Sequence, residues 1–80
     1  MNTQAAINLC RSANVELFQV TRDDARRNRA DGSEPRYAGF YYWTCFPGCL
    51  PDSDAFGPFR SWRAAALDAV DTFDLEGVTP

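Results

Sequence analysis

The stretch from Tyr37 to Phe59, YAGFYYWTCFPGCLPDSDAFGPF, limits most severely what this chain can fold into. It holds eight of the eleven aromatic residues and two of the three cysteines. Arg36 to Phe46 reads as a long strand. Tyr37, Gly39, Tyr41, Trp43 and Cys45 alternate with Ala38, Phe40, Tyr42, Thr44 and Phe46, so both faces are aromatic. Such a strand must be central, or covered on both sides. Gly39 within it marks a bulge or a close approach by another backbone. The chain has 80 residues and makes one domain. A domain of this size buries only about 60% of its unfolded surface. Large aromatic side chains are the efficient way to fill so small a core.

The other elements follow from periodicity. Thr3 to Ala13 places Ala6, Leu9, Cys10 and Ala13 on one helical face, with Thr3 as N-cap and Asn14 as a left-handed terminator. Val15 to Thr21 reads as a strand with Phe18 and Val20 on one face and Val15, Leu17 and Gln19 on the other, which sets Leu17 under the first helix. Arg22 to Pro35 is polar and is either a long hairpin loop or a short exposed helix. Thr21 and Asp24 have capping spacing, and Gly32 suits the position after a helix. Pro47-Gly48 and Pro51-Asp52 signal turns. Ala55 to Phe59 is a short third strand, confined to an edge by Gly57-Pro58. Ser61 to Asp74 is the clearest helix: Ser61 caps it, and Trp62, Ala66, Ala69, Val70 and Phe73 form its apolar stripe. The expected fold is α+β. A small antiparallel sheet of about three strands packs against the C-terminal helix, with the short N-terminal helix at its edge.

Catalytic chemistry finds few carriers. The chain has no His, so no side chain has an ordinary pKa near neutrality. It has no phosphate-binding Gly-rich loop and no nucleophile elbow. Cys45 and Cys49 form a C-x3-C pair around a Pro-Gly turn. Structural zinc needs four ligands, and here one pair stands with a distant Cys10. Two small thiols closing a turn account for the spacing. Asp52 and Asp54 lack the further oxygen ligands of a calcium loop and suit turn capping. No catalytic residue, metal or cofactor is expected. Cys10, near the N-terminus, is the candidate for an incidental disulfide between chains.

Charge is segregated along the chain. Residues 1–49 carry six Arg against five acids, and residues 50–80 carry two Arg against six. Arg22, Arg26, Arg27 and Arg29 cluster, but Asp23, Asp24 and Asp31 interrupt them, which weighs against a nucleic-acid arm. Asp68, Asp71 and Asp74 fall in the second half of the last helix, where the dipole favours cations, and they stand three apart on one ridge. Sequence that opposes stability marks a candidate functional surface. The candidate partner-binding residues are therefore Asp52, Asp54, Asp68, Asp71, Asp74 and Glu76.

The run YYWTCFPGCLPDSD, followed by GPF and an Ala-rich helix, resembles a set of small bacterial and phage proteins with a similar aromatic-Cys-Phe-Pro-Gly-Cys-Leu-Pro-Asp-Ser block. That likeness covers about Tyr41 to Val70 and brings no assigned chemistry. In size, acidity and general style the chain also resembles the anti-CRISPR proteins of phages, the type I-C inhibitors among them. That resemblance implies stoichiometric binding to a basic, DNA-binding surface of a CRISPR effector complex, with no direct nucleic-acid contact. The chain is expected in the host cytoplasm, as a monomer or weak homodimer. The alternative is a structural or protein-interaction module without catalytic activity. No apolar run approaches the length that spans a bilayer, and no secretory signal is visible at the N-terminus.

Overall fold

The computed structural model describes residues 1–44 and 55–76. Its elements run α1 (Thr3–Ser12), β1 (Val15–Val20), α2 (Arg22–Asp31), β2 (Gly39–Thr44), β3 (Phe56–Phe59) and α3 (Trp62–Thr72). The three strands form one antiparallel sheet in the order β1-β2-β3. The fold is α+β, with the aromatic strand central and β3 at an edge. The expected turns between residues 47 and 52, both cysteines of the C-x3-C pair, Asp52, Asp54 and Gly77 lie outside the described residues.

Each face of β2 has its own core. Tyr42, fully buried, packs with Ala6 and Cys10 of α1, Val15 of β1, and Ala65, Ala66, Ala69 and Val70 of α3. The helices meet through small side chains, so their backbones approach closely enough for the Cys10 thiol to lie 3.8 Å from the Ala66 carbonyl. Thus α1 shares a layer with α3, rather than sitting at the edge of the sheet. Ala13, expected on its apolar face, is exposed, while Ile7 and Leu9 complete the contact. On the opposite face, Tyr41 packs with Val20 and with Ala25 of α2. Phe18 stacks on its cross-strand partner Tyr41 at 5.6 Å and meets the diagonal Trp43 at 4.2 Å with the rings tilted by 35°. The indole N–H of Trp43 is buried there with no hydrogen-bond partner among the described residues.

The polar segment resolves as a helix because its ends are satisfied. Thr21 accepts from the Asp24 backbone N–H at 3.1 Å, and Asp24 accepts from that of Thr21 at 3.2 Å. This capping box settles two otherwise unpaired donors. Gly32 ends the helix in the left-handed region, and Ser33 N–H reaches back to the Asn28 carbonyl at 2.7 Å. Because Thr21 leaves the strand to cap α2, the β1–β2 ladder stops at Val20 opposite Gly39. Strand β2 therefore starts at Gly39 and not at Arg36.

Two glycines allow β3 to lie against β2. A Cβ on Gly39 would stand 2.5 Å from Pro58 Cβ. A Cβ on Gly57 would stand 2.7 Å from both the Phe40 carbonyl oxygen and Tyr41 Cδ2. The register shifts between Phe40 and Tyr42, as the Gly-Pro pair requires.

The first helix is capped by Asn2, whose side chain accepts from Ala5 N–H at 2.8 Å, so Thr3 is already inside it. Asn14 follows it in the left-handed region, as expected. Ser61 caps α3 by accepting from Ala64 N–H at 3.0 Å. That helix stops at Thr72. Asp74 adopts φ 50°, and the N–H of Leu75 bonds the Val70 carbonyl at 2.9 Å. Leu75 is buried in the same cluster as Val70, completing a Schellman ending. Phe73 is half-buried, not buried, and meets Tyr42 and Phe56 edge-on. Trp62 lies edge-on to Phe40 at 4.7 Å and remains 36% exposed.

Candidate functional site

The six acidic residues singled out from the sequence separate into three groups. Asp52 and Asp54 fall outside the described residues. Asp68 turns toward the core edge, where its Oδ2 accepts a 2.5 Å hydrogen bond from the Tyr42 hydroxyl. The Thr72 hydroxyl lies 3.3 Å from the same oxygen. The ridge is thus compensated at Asp68 by a partner that linear spacing does not reveal. Burial, and then this bond, push the Tyr42 hydroxyl up to about 12, so it remains a donor across the physiological range.

Asp71, Asp74 and Glu76 form the third group. All three are exposed, and with Leu67 and Val70 they line a shallow groove of about 220 Å³ at the C-terminal end of α3. The helix end supplies this arrangement. Asp71 stands in the last turn, and Asp74 lies beyond the C-cap, not within the helix as its spacing suggested. The left-handed turn then redirects the chain so that Glu76 joins the same rim. No basic side chain occupies the last turn of α3, and none of the three carboxylates makes an ion pair among the described residues. Their negative charge adds to the partial negative charge at the C-terminal end of the helix dipole. Asp74 also has a local reason for its identity, since Asp tolerates the left-handed region better than most residues.

A second groove, about 310 Å³, opens between α1, β1 and the start of α3. Ile7, Val15, Leu17 and Trp62 form its apolar lining, with Arg11 and Glu16 at its mouth. Sequence reasoning assigned Trp62 wholly to the core. The missed signal is its place as the first residue of α3, where a helical side chain has no preceding turn to cover it.

Among the described residues, no group of three or more His, Cys, Asp or Glu side chains is placed to hold a metal ion. No helix of the described residues is long and apolar enough to cross a membrane. Comparison with family models, with curated proteins and with solved structures finds no match.

Proposed function

We propose that this protein is a non-catalytic binding inhibitor that occupies a basic, DNA-binding surface of a nucleic-acid-handling complex. The carrying observation is the groove at the end of α3, where Asp71, Asp74 and Glu76 stand around Leu67 and Val70 with no ion pair among the described residues. Carboxylates around an apolar floor suit Arg side chains, whose guanidinium takes the charge while the stem covers the floor. Acidic residues so placed meet the cations that would otherwise meet phosphates. The resemblance to phage inhibitors makes a type I CRISPR effector subunit the first partner to test, which would place the protein in the bacterial cytoplasm. Asp52 and Asp54, named with this surface from the sequence, lie outside the described residues. The second reading, a protein-interaction module, is supported by the apolar groove beside Trp62.

The experiment is an affinity pull-down of type I effector subunits by the parent chain and by a variant carrying Asp71→Arg and Glu76→Arg. Both positions are exposed, so the fold is retained. Asp68 is left intact because it holds Tyr42. The parent should retain an effector subunit at low salt, lose it as salt screens the contact, and the variant should retain none. Retention of no subunit by the parent contradicts the inhibitor assignment. Equal retention by both proteins removes the acidic groove from it.

A further inference from the structure

Helix α2 sorts charges that are mixed in the linear sequence. At about 100° per residue, Arg29, Arg22 and Arg26 fall within an arc of about 60°. Asp24 and Asp31 fall on the opposite side of the helix, Asp24 being further occupied by the capping box and by Arg27 at 3.4 Å. Asp23 lies about 60° beyond Arg26 on the same count. Arg22 and Arg26 are exposed and make no ion pair among the described residues.

Beside this arc the chain holds out an aromatic ring. Three carbonyls in succession are tied down: Asn28 Nδ2 donates to Pro35 O at 2.7 Å, Arg29 Nη1 to Arg36 O at 2.5 Å, and the Tyr41 hydroxyl to Tyr37 O at 2.7 Å. The backbone from Pro35 to Tyr37 is thereby fixed against α2 and β2, while the Tyr37 ring is left 66% exposed. A clamped backbone under an exposed ring lowers the entropy lost on binding. Arg29, at one edge of the arc, reaches this clamp, as does Asn28 about 100° round the helix from it, so the segment from Pro35 to Tyr37 lies beside the arc.

We propose that this face binds single-stranded nucleic acid, with phosphates on Arg22, Arg26 and Arg29 and an unstacked base on Tyr37. Guanidinium groups fit phosphate oxygens, and an exposed ring offers a platform to any base. A duplex keeps its bases stacked and denies Tyr37 that role. The side chains differ from those of the acidic groove, so either proposal can fail without the other.

The test is fluorescence anisotropy of a labelled oligothymidylate of about 15 nucleotides, titrated with the full chain at several salt concentrations. Three phosphate contacts predict a slope of log K against log salt of about −2 for a single strand. Tyr37→Ala should weaken binding about tenfold with the slope unchanged. Arg22→Ala with Arg26→Ala should weaken it and bring the slope to about −0.7. Circular dichroism should give parent-like spectra for both variants, since all three side chains are exposed. No binding by the parent at low salt overturns the proposal, as does a slope unchanged in the double variant. A duplex bound as tightly as the single strand overturns it too. Displacement by polyglutamate as readily as by unlabelled oligonucleotide would reassign the face to an acidic protein.

Discussion

The hydroxyl of Tyr42 donates a 2.5 Å hydrogen bond to Asp68 Oδ2 across 26 residues of sequence, tying the central strand to the last helix. Thr72 Oγ1 closes a triangle, 3.1 Å from the Tyr42 oxygen and 3.3 Å from the carboxylate. The ring below the hydroxyl stacks on Phe56 at 4.9 Å and Phe59 at 5.8 Å. One side chain thus joins β2 to β3 by its ring and to α3 by its oxygen. Removing only the oxygen, in Tyr42→Phe, should cost about 1.5–3 kcal/mol, the range for hydrogen bonds to charged groups. Denaturant unfolding of parent and variant measures this.

Burial of the Tyr42 hydroxyl, and then the same bond, give stability a dependence on alkaline pH. An unfolded tyrosine ionises near its model value of 10, while the folded hydroxyl is held up to about 12. Below pH 10 both states keep the proton and the contribution is constant. Between 10 and 12 the unfolded state releases it first, so stability falls as pH rises. Burial also raises the Cys10 thiol and, together with Glu34, the Tyr41 hydroxyl, and both act in the same direction. Urea midpoints measured from pH 8 to 11 should decline. The decline should be shallower in Tyr42→Phe.

Gly57 has no room for a side chain. At φ 144° a Cβ would meet the Phe40 carbonyl oxygen and the Tyr41 ring at 2.7 Å each. Gly57→Ala should therefore cost at least about 1–3 kcal/mol through backbone strain, with the steric clash in addition. A thermal melt matching the parent would show that β3 does not lie against β2 as described.

Cys10 is fully buried between α1 and α3, and burial raises its pKa. It lies on the buried face that its helical spacing indicates, out of reach of the incidental disulfide between chains expected from its place near the N-terminus. In a Cys45→Ser, Cys49→Ser variant, the remaining thiol should be inert to an aromatic disulfide reagent in the native state and react fully in denaturant. Rapid native labelling would contradict the α1–α3 packing.

The sheet was legible because its alternation is local. Tyr41 and Tyr42 face opposite cores, and Phe18 and Val20 lie opposite Val15 and Leu17, as period-two spacing requires. Helix α2 was ambiguous because Ala25 is its only buried residue, too little for an apolar stripe. Its cap residues carried the information instead. Asp68 was misjudged for a different reason. Helical spacing grouped it with Asp71 and Asp74, but its partner Tyr42 is fixed only when the sheet packs on α3. The acidic rim was partly legible: Asp71, Asp74 and Glu76 were named, but the left-handed turn at Asp74 that brings them together belongs to the helix ending.

The most direct measurement of the central proposal is displacement of labelled double-stranded DNA from a purified type I effector subunit by this protein. With the parent, anisotropy should fall to the free-DNA value near one equivalent per DNA-binding site. With Asp71→Arg and Glu76→Arg together, the DNA should stay bound, because the reversed groove repels the surface it is proposed to cover. Full displacement by this double variant at the parent's stoichiometry would contradict the assignment of inhibition to the end of α3.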